Sequence, residues 1–176
     1  GRGTFVSHPD TRGRFIDTQL SFAKEMSILG KRHHTEMIHK EWISGDFMLT
    51  GLLNLGMSER CYHIKRMRYV NGKPFVLAEN YIPESIFPGI EQYDLAKESL
   101  YGVFERVYHV KVMRAKRVIR AQTADQELAG FFGVHPGSPV LYITNVAVDQ
   151  NDRPVDFSKE YLDGLSQKFE FDVINK

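Results

Sequence analysis

The dipeptide Asn71-Gly72 stands between two strand-like runs, RCYHIKRMRYV and KPFVLAENYIP. Asn-Gly in that setting is the strongest short-range hairpin signal a sequence can carry. A regular two-residue turn sets Val70 opposite Lys73, Arg68 opposite Phe75, Arg66 opposite Leu77 and Ile64 opposite Glu79. Side chains alternate across a strand, so one face then carries Tyr62, Ile64, Arg66, Arg68, Phe75, Leu77, Glu79 and Tyr81. The other carries Cys61, His63, Lys65, Met67, Val76, Ala78 and Asn80. The first face sets two guanidinium groups and a carboxylate among apolar side chains. Arg suits bidentate contacts with phosphate or carboxylate, and Glu accepts hydrogen bonds from sugar hydroxyls or an amine. The alternative is a solvated face with an Arg–Glu ion pair. A bulge in either strand would separate Glu79 from the arginines, because a one-residue slip reverses every side chain.

The remaining elements follow in chain order. Ser21 to Gly30 reads as a short helix with Ser21 as N-cap, Gly30 just past its end, and Phe22, Met26 and Leu29 along one side. His33 to Ser44 alternates only in part. Its His33 and His39 share a strand face while His34 points away, and no Cys or Asp/Glu spacing completes a ligand set, so no metal site is expected. Asp46 to Leu55 is an apolar helical turn or packed loop. Tyr93 to Val107 is helical in pattern, with Ser99 capping the main helix and Asp94 starting an earlier turn. Lys111 to Ala121 reads as a strand whose basic residues lack interleaved aromatics, which favours a solvated face over a nucleic-acid patch. Thr123-Ala-Asp-Gln126 matches a capping box for a helix that Gly133 stops. Pro139 to Asp149, Val155 to Leu162 and Lys168 to Ile174 read as strands. Helices and antiparallel hairpins intermixed in this way predict an α+β domain, an antiparallel β-sheet with packed helices.

Composition narrows the function classes. The 176 residues, 42% hydrophobic and 26% charged, suit one domain with a sizeable core. A net charge of +1 gives no global sign of nucleic-acid binding by this stretch itself. A single cysteine, Cys61, excludes an internal disulfide and fits a reducing, cytoplasmic compartment. No apolar run approaches the length of a membrane span, so no membrane partner is expected.

Several segments together resemble one family across nearly the whole chain. Gly1-Arg-Gly-Thr-Phe-Val6 resembles the end of the wing in winged-helix regulators of the GntR type. Ser21-Phe22, Arg66-x-Arg68, Asn71-Gly-Lys-Pro74, Tyr81-Ile-Pro83, Ser99-Leu-Tyr101, Gly137-Ser-Pro139 and Arg153-Pro-Val-Asp156 follow in order. The chain looks like the effector-binding (UTRA) domain of a GntR-type transcription regulator of the HutC subfamily. The resemblance implies a chorismate lyase-like fold, a homodimer, no cofactor and no catalysis. It also implies a division into 1–6 as the tail of an upstream winged-helix DNA-binding domain, 7–20 as linker and 21–176 as the UTRA domain. Operator DNA would then be contacted through that upstream domain.

The resemblance further implies where a small anionic effector, with sugar phosphate favoured, would sit. Arg66, Arg68, Ser99 and Tyr101 match the residues that cradle a phosphate, and Ser21 and Phe22 match a segment that contacts the sugar. Asp156 stands where the family usually has Glu, with Tyr81 and Tyr161 as further lining candidates. The family's acidic residue usually falls at the position of Ala78, and the regular hairpin register assigns its role to Glu79. Read from residues alone, Ser21 and Ser99 also serve as plain helix caps, the tyrosines as core aromatics with a wet tip, and Asp156 as a partner for a surface Lys. The function expected is ligand sensing and dimerisation in a bacterial repressor of a carbohydrate operon. The alternatives are a chorismate lyase-like enzyme or a UTRA domain sensing a carboxylate or amino-acid-derived ligand.

Overall fold

Asn71 (φ 51°) and Gly72 (φ 78°) both adopt positive φ, the geometry of a type I′ hairpin turn, whose twist matches the strands it joins. The computed structural model describes residues 22–56 and 58–167. The turn joins β2 (Arg60–Val70) to β3 (Lys73–Pro83). Around this hairpin the other strands are β1 (His33–Ser44), β4 (Val112–Thr123), β5 (Pro139–Asp149) and β6 (Pro154–Asp163). They form one sheet in the order β1-β2-β3-β6-β5-β4, antiparallel throughout. The helices are α1 (Phe22–Ile28), α2 (Phe47–Leu53), α3 (Leu100–Tyr108) and α4 (Gln126–Phe132). The expected α+β architecture is what forms.

Two of the sheet's single-residue bulges set the faces around this hairpin. In β3, Tyr69 pairs with Pro74 but Arg68 pairs with Val76, leaving Phe75 as the extra residue. Beyond it Arg66 faces Ala78, Lys65 faces Glu79 and Ile64 faces Asn80. The regular register expected from the sequence is therefore shifted by one residue, and Glu79 and Tyr81 lie on the face opposite Arg66 and Arg68. In β1, Met37 pairs with Arg66 and His39 with Lys65, with Ile38 between them. His39 thus turns to the face of His63 while His33 stays on that of Arg66. The bulge explains the imperfect alternation of this strand and corrects the expectation that His33 and His39 share a face.

Helices cover both faces. On the arginine side, α3 buries Leu100, Val103 and Phe104 against Tyr62, Ile64 and Ile82. Phe104 stacks on Phe87 at 3.7 Å between ring centroids. α1 docks Phe22 and Met26 on Phe75, Val76 and Ala78. On the other side, α2 packs Leu49 and Leu53 on Cys61, Tyr81 and Phe157, and α4 packs Leu128 and Phe132 on Met67 and Leu77. Each fully buried Leu or Phe contributes about 1.5–3 kcal/mol, so these clusters fix which face each strand residue presents.

Apart from the Ser21 cap of α1, which lies outside the described residues, the expected helix ends form with one exception. Ser99 caps α3 by accepting from the Gly102 amide, and Gly133 ends α4 at φ 66°. Asp94 closes the turn before α3, its carbonyl accepting from the Lys97 and Glu98 amides. The cap of α4 is Asp125, which accepts from the Leu128 amide at 2.8 Å. Thr123, expected in that role, instead ends β4 opposite Pro139. The strand expected at Lys168 to Ile174 lies outside the described residues. Among the described residues no helix is long and apolar enough to cross a membrane.

Candidate functional site

On the arginine face a cavity of about 380 Å³ opens between the sheet, α1, the 95–99 segment and the start of α3. That volume suits a small polar molecule. Its lining holds four cationic side chains (Arg66, Arg68, Lys97, Arg117) and two anionic ones (Glu98, Glu160), so the space favours an anion.

Arg66 is the centre of the wall. It is only 3% exposed. Its guanidinium donates to the Leu95 carbonyl at 3.0 Å and to Asn80 Oδ1 at 2.7 Å, while its buried Nε has no hydrogen-bond partner among the described residues. An unpaired buried donor on a charged group costs free energy that an arriving acceptor would recover. Burial, reinforced by the neighbouring Arg68 charge, lowers its pKa to about 9. Arg68 lies one alternation further along β2. Its guanidinium sits 5.1 Å above the Phe22 ring and 3.8 Å from Glu160.

Beneath Arg66 runs a hydrogen-bonded chain. Asn80 accepts from Arg66 and donates through Nδ2 to both oxygens of Asp156 at 3.1 and 3.0 Å. Tyr101 donates its hydroxyl to Asp156 Oδ2 at 3.0 Å. Asp156 is fully buried, and burial raises its pKa to about 6 against the opposing pull of Asn80, Tyr101 and Arg66. Burial and the Asp156 carboxylate hold the Tyr101 hydroxyl well above its usual range. The floor of the cavity is therefore a relay in which Asn80 transmits between a guanidinium and a carboxylate.

At the mouth, Ser99 stands at the N-terminus of α3. Its Oγ accepts from the Gly102 amide at 3.3 Å. The amides of Leu100 and Tyr101, in the first turn, have no acceptor within a helix, and the helix dipole adds positive potential there. Fixed amides, a hydroxyl and two guanidiniums around one space form an anion-binding arrangement.

Of the ten residues expected from the sequence, Phe22, Arg66, Arg68, Ser99 and Tyr101 line this cavity. Asp156 lies under its floor, tied to Tyr101 and Asn80 rather than to a surface Lys. Ser21 lies outside the described residues. The remaining three are corrections, all produced by strand parity. Glu79 faces away, accepting from the Tyr81 hydroxyl at 3.1 Å with Lys65 Nζ at 3.9 Å and His63 Nε2 at 3.4 Å. Tyr81 stacks on His63 and Phe157 beneath α2. Tyr161, paired with Leu77, stacks on Tyr142, and burial pushes its hydroxyl up to about 12.

Residues that the regular register hid take their places. Asn80 comes to the arginine face through the bulge at Phe75. Ser158 and Glu160 follow Asp156 at period two along β6, a signal available in the sequence once Asp156 is placed. Ala78 pairs with Arg66 on one side and Glu160 on the other. The carboxylate on this face therefore comes from β6 and not from β3. Arg117 reaches in from β4, its Nε donating to Asn145 Oδ1 at 3.1 Å.

Comparison with known proteins agrees with this architecture. The family model of the UTRA domain matches residues 29–167. The probable fructoselysine utilization operon transcriptional repressor of Escherichia coli K12 is 26% identical over 159 residues, covering 90% of this chain and 65% of that protein. The mannosyl-D-glycerate transport/metabolism system repressor MngR of Escherichia coli K12 is 25% identical over 170 residues, covering 96% of this chain and 70% of that protein. The chain thus spans just under two thirds of the fructoselysine repressor's length. Among solved structures, PhnF from Mycobacterium smegmatis superposes with a TM-score of 0.83 at 18% identity, over 90% of this chain and 70% of PhnF. The ligand-binding domain of a putative GntR-family regulator from Bordetella bronchiseptica gives 0.75 at 25% identity, over 81% of this chain and 90% of that one. The shared fold is the chorismate lyase-like sheet of GntR effector domains.

Proposed function

From the premise that this chain belongs to the UTRA family, we propose that it is the ligand-sensing and dimerisation domain of a bacterial transcription repressor. The regulator is of the GntR type and HutC subfamily, and its effector is a small anion, with a sugar phosphate the favoured class. The relatives are named as repressors of systems that use sugar derivatives, and they are regulators rather than enzymes. The observation that carries the reading is Arg66, a buried guanidinium whose Nε has no partner among the described residues, at the wall of a cavity that also holds Arg68 and the N-terminus of α3. A phosphate there gains charge-assisted hydrogen bonds from donors that burial already holds in place. Ser158, Asn80 and Glu160, on the same face, suit the hydroxyls of a sugar.

Operator contact belongs in this proposal to a winged-helix module, of which residues 1–6 are the tail and 7–20 the linker to a domain spanning 21–176. The effector shifts operator affinity only by binding two arrangements of the homodimer unequally. In a cytoplasmic repressor of a catabolic operon, the favoured arrangement is the one that fits the operator poorly.

The test is thermal unfolding of the domain against a panel of sugar phosphates, each beside its unphosphorylated parent. A ligand at a hundred times its Kd adds about 2.7 kcal/mol, a rise of a few degrees for a domain of this size. A shift with one phosphosugar and none with its parent supports the reading. Shifts confined to amino acids or carboxylates leave the domain assignment standing and overturn the phosphate.

A further inference from the structure

The face opposite the cavity carries a second constellation. The bulge at Ile38 turns His39 and Glu41 toward that face, where Glu41 pairs directly with His63 and His39 with Lys65. His39 Nε2 lies 3.0 Å from Glu41 Oε1, and His63 Nδ1 lies 3.9 Å from the same oxygen. One ligand atom from each of His39, Glu41 and His63 falls within 4.8 Å of the others. Two ligands about 2.0–2.1 Å from a tetrahedral zinc ion lie about 3.3–3.4 Å apart. The observed separations bracket that value, and the half-exposed His39 and Glu41 side chains have freedom to close it.

The surroundings of His63 make this more than a surface ion pair. Its other nitrogen, Nε2, is buried without a hydrogen-bond partner among the described residues and faces Glu79 Oε2 at 3.4 Å. Glu79 is itself held by the Tyr81 hydroxyl, and the Tyr81 ring stacks on His63 at 4.6 Å. A metal on Nδ1 fixes the proton on Nε2, where it points at Glu79. This is the carboxylate–histidine–metal arrangement that orients a ligating imidazole and raises its basicity. Of the nearby cations, Lys65 binds chiefly Glu127 at 2.6 Å and the Phe131 ring, with Glu79 Oε1 at a looser 3.9 Å, and Lys159 donates to the Tyr81 hydroxyl at 3.3 Å. Of the three donors only His63 is largely buried; His39 and Glu41 leave the remaining coordination position open to water.

We propose that His39, Glu41 and His63 form a binding site for a divalent transition metal, zinc in the first instance, with Glu79 as the positioning residue for His63. The site is separated from the anion cavity by the thickness of the sheet.

Calorimetric titration of the full chain with Zn²⁺, and with Co²⁺ followed by visible absorption, tests this. The expected result is one ion per chain and the intense d–d bands of four-coordinate cobalt. His39→Gln, Glu41→Gln and His63→Gln should each weaken binding tenfold or more. Glu79→Gln should weaken it about ten- to a hundredfold while keeping the cobalt spectrum. His39 and Glu41 are half-exposed, so their variants test the site without endangering the fold. Unchanged affinity in those two variants overturns the proposal, as does loss of binding on replacing His33 or His34 instead. Absence of binding to the folded chain at about 0.1 mM Zn²⁺ also overturns it.

Discussion

Replacing Asp156 by asparagine keeps the shape of the cavity floor and removes its carboxylate. In the folded domain Asp156 has a pKa of about 6 against a reference of 3.8. Between those values the folded chain holds a proton that the unfolded chain has lost. Stability contributed by this proton is therefore complete below the unfolded pKa and is lost as pH rises through 6. The shift of about two units corresponds to roughly 3 kcal/mol over the whole titration, of which about 2 kcal/mol falls between about pH 4.5 and 7.5. Full burial means that solvent screening does not reduce this figure. Other carboxylates titrate in both proteins, so the quantity to measure is a difference. Urea unfolding of the wild-type and Asp156→Asn domains across that pH range should show the wild type losing about 2 kcal/mol relative to the variant as pH rises. A flat difference would mean that Asn80, Tyr101 and Arg66 cancel the desolvation of Asp156. A difference of opposite slope would mean that they exceed it, and either result refutes the reasoning.

Other predictions follow from the same geometry. Arg66→Gln removes a charge-assisted donor and should weaken the responsive sugar phosphate by roughly ten- to a hundredfold in calorimetry. Glu79→Gln, on the opposite face, should leave that affinity unchanged, and a tenfold loss would contradict the register. Ser99→Ala should lower stability by about 1 kcal/mol through the lost N-cap, read as a fall of a few degrees in the unfolding midpoint. Phe104→Ala should cost about 3–5 kcal/mol in denaturant unfolding, because it opens a cavity against Phe87 in the α3 core.

The elements were legible where local chemistry decides them. Asn71-Gly72 dictates its turn, Ser99 its cap and Gly133 its stop, and the apolar run of β5 needs no neighbour to be recognised. The arrangement of faces was not legible, because it depends on tertiary packing. Phe75 leaves the ladder to bury itself against Phe22 of α1, 6.0 Å between ring centroids. That partner is 53 residues away in sequence, and no periodicity within the hairpin reports it. The site was half legible for the same reason. Arg66, Arg68, Ser99 and Tyr101 were reached through motifs, whereas Asn80 and Glu160 depend on knowing where the bulge falls. The cap of α4 shows a smaller version of the problem: Thr123 and Asp125 both fit the local pattern, and the pairing of Thr123 with Pro139 in the sheet leaves the cap to Asp125.

The bulge at Phe75 also decides what the cavity can bind. In a regular hairpin Glu79 would join Asp156 and Glu160 on the face of Arg66, Arg68 and Arg117, three carboxylates against three guanidiniums. Opposite charges about 4 Å apart interact by roughly 4 kcal/mol at the effective dielectric of such a site. An internal carboxylate at that distance would neutralise an arginine and repel a phosphate by a comparable amount. The extra residue sends Glu79 to the other face, where Tyr81, Lys65 and His63 engage it. Asp156 lies one layer below, reaching Arg66 only through Asn80. Arg66 is thereby left charged, buried and short of one acceptor. The same residue that anchors α1 through its ring thus keeps the arginine wall open to an anion, so a single insertion in β3 links the packing of the helix to the charge of the cavity it covers.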